Sequence, residues 1–296
     1  RNTLYAVAVT PGSNGNDAWA VGAAGTILHW DGASWRKTPS PTTKMLRGVA
    51  PASANLALVV GHEGASAKWN GTAWSNLATK TTNWFRTVSL VPGSSPSAAW
   101  AAADMAGVGM FLYWNGSAWE SRVAGKVHFF GGTVYGISMV NANAGWAVGA
   151  AFSSAVGSLA GTALRWDGST WGNLPLPTTA KLTALDMLST TDGWAVGEGG
   201  ALLRWDGAAW TQWAGSPTTE NLHAVDMLSA TQGWAVGAAG VILRWDGSAW
   251  VSVASPVSQD LFGVAVVSAN SAWAVGQSGV ILRWDGERWN KVVGPE

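Results

Sequence analysis

The chain has 296 residues with 17 basic and 17 acidic side chains, so its formal net charge is zero, and only 11% of its residues are charged, against roughly 25% in a typical soluble domain. With no basic stripe to neutralise phosphates, nucleic acid is excluded as a partner; no apolar run approaches bilayer-spanning length, which excludes insertion by a helix. There is no cysteine, which excludes disulfides, thiolate metal sites and cysteine nucleophiles.

The opening stretch RNTLYAVAVT reads as a strand and not as a signal peptide. Because the chain opens on Arg1, processing or trimming with a missing upstream segment is expected. Further along, W-[DN]-G-x-x-W recurs seven times, its first tryptophans being Trp30, Trp69, Trp114, Trp166, Trp205, Trp245 and Trp284. The closing ones are Trp35, Trp74, Trp119, Trp171, Trp210, Trp250 and Trp289. Upstream of each block stands WAVG or a relative, with Trp19, Trp100, Trp146, Trp194, Trp234 and Trp273, and Leu58 in the second copy. These motifs absorb 20 of the 22 tryptophans and leave Trp84 and Trp213.

Each unit reads as four short strands, A to D, punctuated by Gly, Asn, Ser and Pro. Units of about 40 residues with four strands each indicate an all-β chain, a seven-bladed β-propeller of four-stranded antiparallel blades. The blades fall at about 1–41, 42–81, 82–128, 129–178, 179–218, 219–257 and 258–296 of one domain. The first copy starts on strand A and the last ends on strand D, so no exchanged strand latches the ring within this sequence.

Between strands C and D, the Asp or Asn of the block can accept hydrogen bonds from N–H groups just downstream, while the glycine supplies a positive φ. Asn70 and Asn115 replace the aspartate, an exchange a turn cap tolerates and a catalytic carboxylate does not. The two tryptophans of a block form a cross-strand pair, and the WAVG tryptophan is expected to complete a three-tryptophan layer within the same blade. The residue before each block is His29, Lys68, Tyr113, Arg165, Arg204, Arg244 or Arg283, and an arginine there can lie over a tryptophan face.

The run WAVGAAGTILHWDGASW resembles the Asp-box (BNR) propellers, particularly the photosystem II assembly and stability factor-like repeats. It departs from the box in lacking one residue between the acid and the closing tryptophan. The resemblance implies a structural role for Asp31, Asn70, Asn115, Asp167, Asp206, Asp246 and Asp285, and leaves function open, because the family spans assembly factors, sialidases and receptor domains. The Trp and Gly richness is also similar to seven-bladed bacterial lectins, whose sugar sites lie between blades.

In an up-and-down blade, B–C and D–A connections share one end and A–B and C–D connections the other. The distance from the WAVG position to the block is 11 residues in five blades, 14 in blade three and 20 in blade four, and the D–A connection lengthens to 15 only between those two blades. The extra segments 103–109, 124–132 and 150–161 therefore cluster, bringing Met105, His128, Phe129, Phe130 and Phe152, with Trp84 nearby; aromatics on long loops over a rigid scaffold are binding candidates. A second candidate is the mouth of the central channel at this end. Its register position, the second residue of each strand A, carries Tyr5, Arg47, Arg86, Tyr135, Thr183, His223 and Phe262, and Arg47 and Arg86 can bind a carboxylate or phosphate. Blades one and three have longer A–B loops at the opposite end.

No catalytic constellation, metal-ligand spacing or cofactor motif is assembled by the sequence. Glu63 and Glu198 lie in distant blades, and a sialidase-like site would draw on only three tyrosines. The expected function is a non-enzymatic binding scaffold, a monomer recognising a protein or glycan partner through its loop-bearing face, in an extracellular or periplasmic bacterial setting. A multivalent lectin with Trp-lined sites between blades is the alternative, followed by a structural extracellular component or a sialidase-like hydrolase.

Overall fold

Each predicted unit forms its own four-stranded antiparallel sheet from consecutive strands. The computed structural model describes residues 1–94, 97–105, 108–121 and 132–295, without the side chains of Met105 and Ser121. Blade one is β1 (Leu4–Val9), β2 (Ala18–Gly22), β3 (Ile27–Trp30) and β4 (Trp35–Lys37); blade two is β5 (Leu46–Ser53), β6 (Leu56–Gly61), β7 (Ser66–Trp69) and β8 (Trp74–Asn76). Blade three is β9 (Trp84–Leu90), β10 (Ala99–Met105), β11 (Val108–Trp114) and β12 (Trp119–Ser121); blade four is β13 (Gly132–Asn141), β14 (Ala144–Ser153), β15 (Ser158–Trp166) and β16 (Trp171–Leu174). Blade five is β17 (Leu182–Ser189), β18 (Asp192–Gly197), β19 (Leu202–Trp205) and β20 (Trp210–Gln212); blade six is β21 (Leu222–Ser229), β22 (Gln232–Gly237), β23 (Ile242–Trp245) and β24 (Trp250–Ser252). Blade seven is β25 (Leu261–Ser268), β26 (Ser271–Gly276), β27 (Ile281–Trp284) and β28 (Trp289–Lys291). The first strands touch in a closed circle, with β1 against β25, and among the described residues no strand is exchanged between blades.

The block is a turn, as its chemistry requires. In blade one the Asp31 Oδ1 accepts from the N–H groups of Ala33 (3.0 Å) and Ser34 (2.8 Å). Asn70 and Asn115 do the same with their amide oxygens. The glycine that follows has φ between 91° and 101° in all seven blades, a region where a β-carbon is strained. Each block's tryptophans are register partners, with ring centroids 5.6–5.9 Å apart.

The third tryptophan does not complete a layer within its own blade, as expected from the sequence, but crosses to the next one. Trp19 of blade one meets Trp69 and Trp74 of blade two; Trp194 of blade five meets Trp245 and Trp250 of blade six. The same contact joins blades three to four, four to five, six to seven, and seven to one. The physical reason is that the two faces of strand B point at different blades, so an indole on one of them is buried only by a neighbour. The other side of each indole is covered by the residue paired with it on strand C: His29 stacks on Trp19 at 4.1 Å, and the guanidinium carbons of Arg165, Arg204, Arg244 and Arg283 lie 5.3–5.8 Å from their own blade's indole. At the remaining interface Leu58 takes the indole's place, Lys68 lies over Trp114, and the Trp119 Nε1 donates to the Ser66 hydroxyl of blade two. All 20 motif tryptophans are buried.

A second tie runs around half the ring, near the channel. In four blades a strand A side chain accepts a hydrogen bond from the next blade's backbone. Met139 N donates to Ser89, Met187 N to Ser138, Met227 N to Asp186, and Val266 N to Asp226. Where blade one has Ala8 and offers no acceptor, blade two has Pro51 and offers no donor. Asp186 and Asp226 also hydrogen-bond to each other. Although each keeps a minor part of its surface accessible, the carboxyls lie between blades. Burial pushes both above the ordinary carboxylate range, with the charge of Asp186 adding to the rise at Asp226.

Three outcomes follow from this packing. Trp194→Ala empties the space between blades five and six and should cost about 3–5 kcal/mol in chemical denaturation; a loss near zero would show that the indole clamp does not hold the ring. Asp206 and Asp246 are held below the usual carboxylate range, first by the backbone N–H groups they accept. Their ionised form is favoured by folding, so their stabilisation is present above a pH of about 4 and fades as pH falls through the lowered native values. Asp→Asn at both should keep the melting temperature at neutral pH and flatten its acid limb, whereas Asp→Ala should lower it at neutral pH. The buried pair has the opposite sign, since its protonated form is favoured by folding and its stabilisation is lost as pH rises through the raised native values. Asp226→Asn keeps the acceptor for Val266 N and should therefore raise the melting temperature above wild type at about pH 9 and less so at about pH 5; superimposable profiles would refute the raised pair.

Candidate functional site

The B–C turns and D–A connections do share one end. In blade one, Ala23 N donates to Thr3 O just before strand A, and the B–C turn packs so closely on the D–A segment that a β-carbon at Gly25 would lie 1.8 Å from Thr42 O. At this end the channel opens into a cavity of about 430 Å3, lined in all seven blades by the strand A residue that follows a buried Leu, Phe or Val: Tyr5, Arg47, Arg86, Tyr135, Thr183, His223 and Phe262. The cavity reaches inward to the residue two further along the strand, at Val7, Ile137, Leu185 and Val264. Strand A is the innermost strand of every sheet, and in six blades a register shift that spans the mouth residue turns its side chain out of the ladder and toward the axis.

Six of these residues, with two more, form a continuous chain of ring and cation contacts around the mouth. From blade four, Tyr135 lies under Arg86 (6.0 Å), and Arg86 is 5.7 Å from the Trp84 ring. Trp84, 46% exposed, stacks on His62 at 4.3 Å and 11°. Arg47 Nε donates to His62 Nε2 (3.4 Å) and its guanidinium carbon sits 3.9 Å over the Tyr5 ring. Tyr5 then contacts Phe262, and Phe262 contacts His223. Thr183 stands outside the chain, its hydroxyl donating to Leu222 O at 2.6 Å.

The two arginines are not equivalent. Arg86 is spent within its own sheet, its Nε and Nη2 donating to the two carboxylate oxygens of Asp104 (2.9 and 3.3 Å), while Thr133 donates to the same carboxylate. Arg47 makes no ion pair among the described residues, and burial lowers its pKa, so its charge is poorly compensated. Burial lowers His62 as well, reinforced by Arg47 and Arg86, which keeps the ring neutral and its Nε2 able to accept from Arg47. Burial also lowers His223, opposed by Asp260.

The second candidate region is only partly described. Segment 150–161 is a long hairpin, with β14 and β15 paired out to Ser153 and Ser158, and segment 103–109 extends β10 and β11 in the same way. Phe152 is 58% exposed near the hairpin tip, opposite Leu159 in register. Met105 ends β10, with its side chain outside the description; His128, Phe129 and Phe130 lie outside the described residues. Among the described residues the large, exposed apolar side chains are Trp84, Val108, Phe152, Val156 and Leu159 at this end of blades three and four, and Val251 and Val293 elsewhere.

Sequence reasoning named the register position at the mouth but missed His62 and Asp104 as its supports. His62 opens a B–C turn where other blades place Ala23, Glu198, Ala238 or Gln277. Asp104 is the register partner of Trp84 across β9 and β10, so a cross-strand reading of the lengthened hairpin was the available signal. Among the described residues no three His, Asp or Glu side chains converge as a metal site.

No protein-family model matches the chain, and no curated protein matches it by sequence. Solved structures do. One described as YCF48 bound to D1 peptide is 18% identical with a TM-score of 0.70, over 96% of this chain and 91% of that one. YCF48 from Cyanidioschyzon merolae is 17% identical with a TM-score of 0.70, over 97% of both chains. The WD40 β-propeller domain of Doa1 is 12% identical with a TM-score of 0.72, over 95% and 92%. The chain is thus a seven-bladed propeller of the same shape as YCF48, in agreement with the resemblance its repeats carry, and at these identities the likeness is one of fold.

Proposed function

We propose that the chain is a non-enzymatic scaffold that binds a protein partner on the B–C end of blades three and four. One observation carries this reading: Trp84, Val108, Phe152, Val156 and Leu159 are all about half exposed or more and all belong to that end. Two lengthened hairpins present four of them. Apolar side chains gathered at one place on a surface mark an interaction site, whereas single scattered ones, such as Val251, do not. That YCF48 has been seen with a peptide, and that the other similar fold is a WD40 domain, supports protein over other partners.

A glycan reading has weaker support. A blade-repeated lectin would draw on the motif tryptophans, and all 20 are closed inside the blade interfaces. The low charge and the Ala, Gly, Ser and Thr richness also fit a structural extracellular component; the scaffold is proposed as a monomer in an extracellular or periplasmic setting.

Photocrosslinking in the native host tests the reading. With p-benzoylphenylalanine at position 152, a discrete protein adduct is expected, lost when Val156→Asp and Leu159→Asp are added; the same group at position 251 should give none. Equal adducts at 152 and 251 would sink the localised surface. A glycan array on which several sugars bind each chain would replace the scaffold with a lectin.

A further inference from the structure

We infer that the channel mouth is a binding site for a small aromatic carboxylate, held by Arg47. This is a second site, which adjoins the proposed protein surface through Trp84 stacked on His62, and nothing in that reading requires it.

The free cation comes first. Arg47 uses Nε on His62 and holds its guanidinium carbon 3.9 Å over the Tyr5 ring, so the group is held from two sides before any ligand arrives. Its two terminal nitrogens donate to no protein acceptor among the described residues, and Arg47 lines the cavity. A planar fork with its outer donors open matches a carboxylate in two parallel hydrogen bonds. In a partly desolvated recess those bonds are stronger than at an open surface.

The charge count selects a monoanion. Arg86, the other cation at the mouth, is neutralised by Asp104 through two hydrogen bonds. His62 accepts from Arg47 and is neutral. One uncompensated positive charge suits a single carboxylate better than a phosphate dianion, which would call on a second open donor group.

The remaining walls select the rest of the ligand. Tyr5, Tyr135, His223 and Phe262 present rings, and Val7, Ile137, Leu185 and Val264 line its inner part with aliphatic side chains. A volume of about 430 Å3 lies in the range of small-molecule sites, roughly 300–1,000 Å3. The recess can take one ring-bearing acid; it cannot take a folded segment.

Titration calorimetry with benzoate tests the site, using benzamide as the uncharged isostere, acetate as the ringless acid and inorganic phosphate as the dianion. Benzoate should bind once per chain, and benzamide and acetate each at least about tenfold more weakly. Arg47→Gln should weaken benzoate by about tenfold or more with an unchanged melting temperature, and Phe262→Ala should weaken benzoate more than acetate. The comparison of benzoate with benzamide needs no variant, so it stands even if Arg47→Gln fails to fold. Absence of benzoate binding at millimolar concentration, equal binding of benzamide, or tighter binding of phosphate would each overturn the assignment. None of these results bears on the hairpin crosslinks.

Discussion

The fold depends on an indole held between two blades. A tryptophan on strand B has its own blade's strand C residue on one side and the next blade's Trp pair on the other, with centroids 4.8–5.6 Å from the first of that pair. The second of the pair meets it edge-on wherever the contact is seen, at 84–90°, the geometry that ring quadrupoles favour. Because each contact joins a blade to its successor, seven local sheets become one ring without an exchanged strand. The contact between Trp273 and Trp30 closes the circle with the same chemistry as every other such interface. A chain with few charges can be stable in this way because its largest side chains are shared between blades and not confined to separate cores.

This constraint also explains the inequality of the interfaces. Where Leu58 stands in for the indole, the gap is made good by polar means, a Trp119-to-Ser66 hydrogen bond and a lysine over Trp114. The inner tie shows the same give and take: Ser89, Ser138, Asp186 and Asp226 accept from the following blade, while Ala8 is followed by a proline that asks for nothing. The buried aspartates of blades five and six are therefore frame residues. A carboxyl accepting a backbone N–H and sharing a proton with its neighbour is occupied twice over.

Much of this was legible in the sequence because the repeat states each rule seven times. The invariant spacing of the block, with Asn70 and Asn115 as natural substitutions, identified a turn, and the glycine φ values bear that out. The residues gathered at the channel mouth were also legible, since one register position repeated seven times must end on one circle. What the period could not tell was which blade the WAVG indole serves. Alternation along a strand gives the face but not what covers it, and both readings bury the same residue. The pairing of Arg86 with Asp104 was hidden for another reason: the partners are 18 residues apart on two strands whose register depends on a bulge at Ala102/Ala103. Without that register, Arg86 and Arg47 look alike.

The separation of frame from site then follows from geometry. Interface positions are fixed by the indole contact and vary little, so chemical variety collects where a side chain faces no neighbouring blade: the mouth position of strand A and the tips of the B–C hairpins. Both lie at one end of the ring, because the register shift in strand A and the hairpin extensions act on the same end of the sheets. The opposite end is dominated by seven self-satisfied turns, whose acids or amides are already consumed by their own backbone N–H groups. An arginine placed among those turns finds its anion in the turn itself, as Arg36 does in Asp31 (2.9 Å). Arg47, set among rings and a neutral histidine, keeps its charge for a ligand.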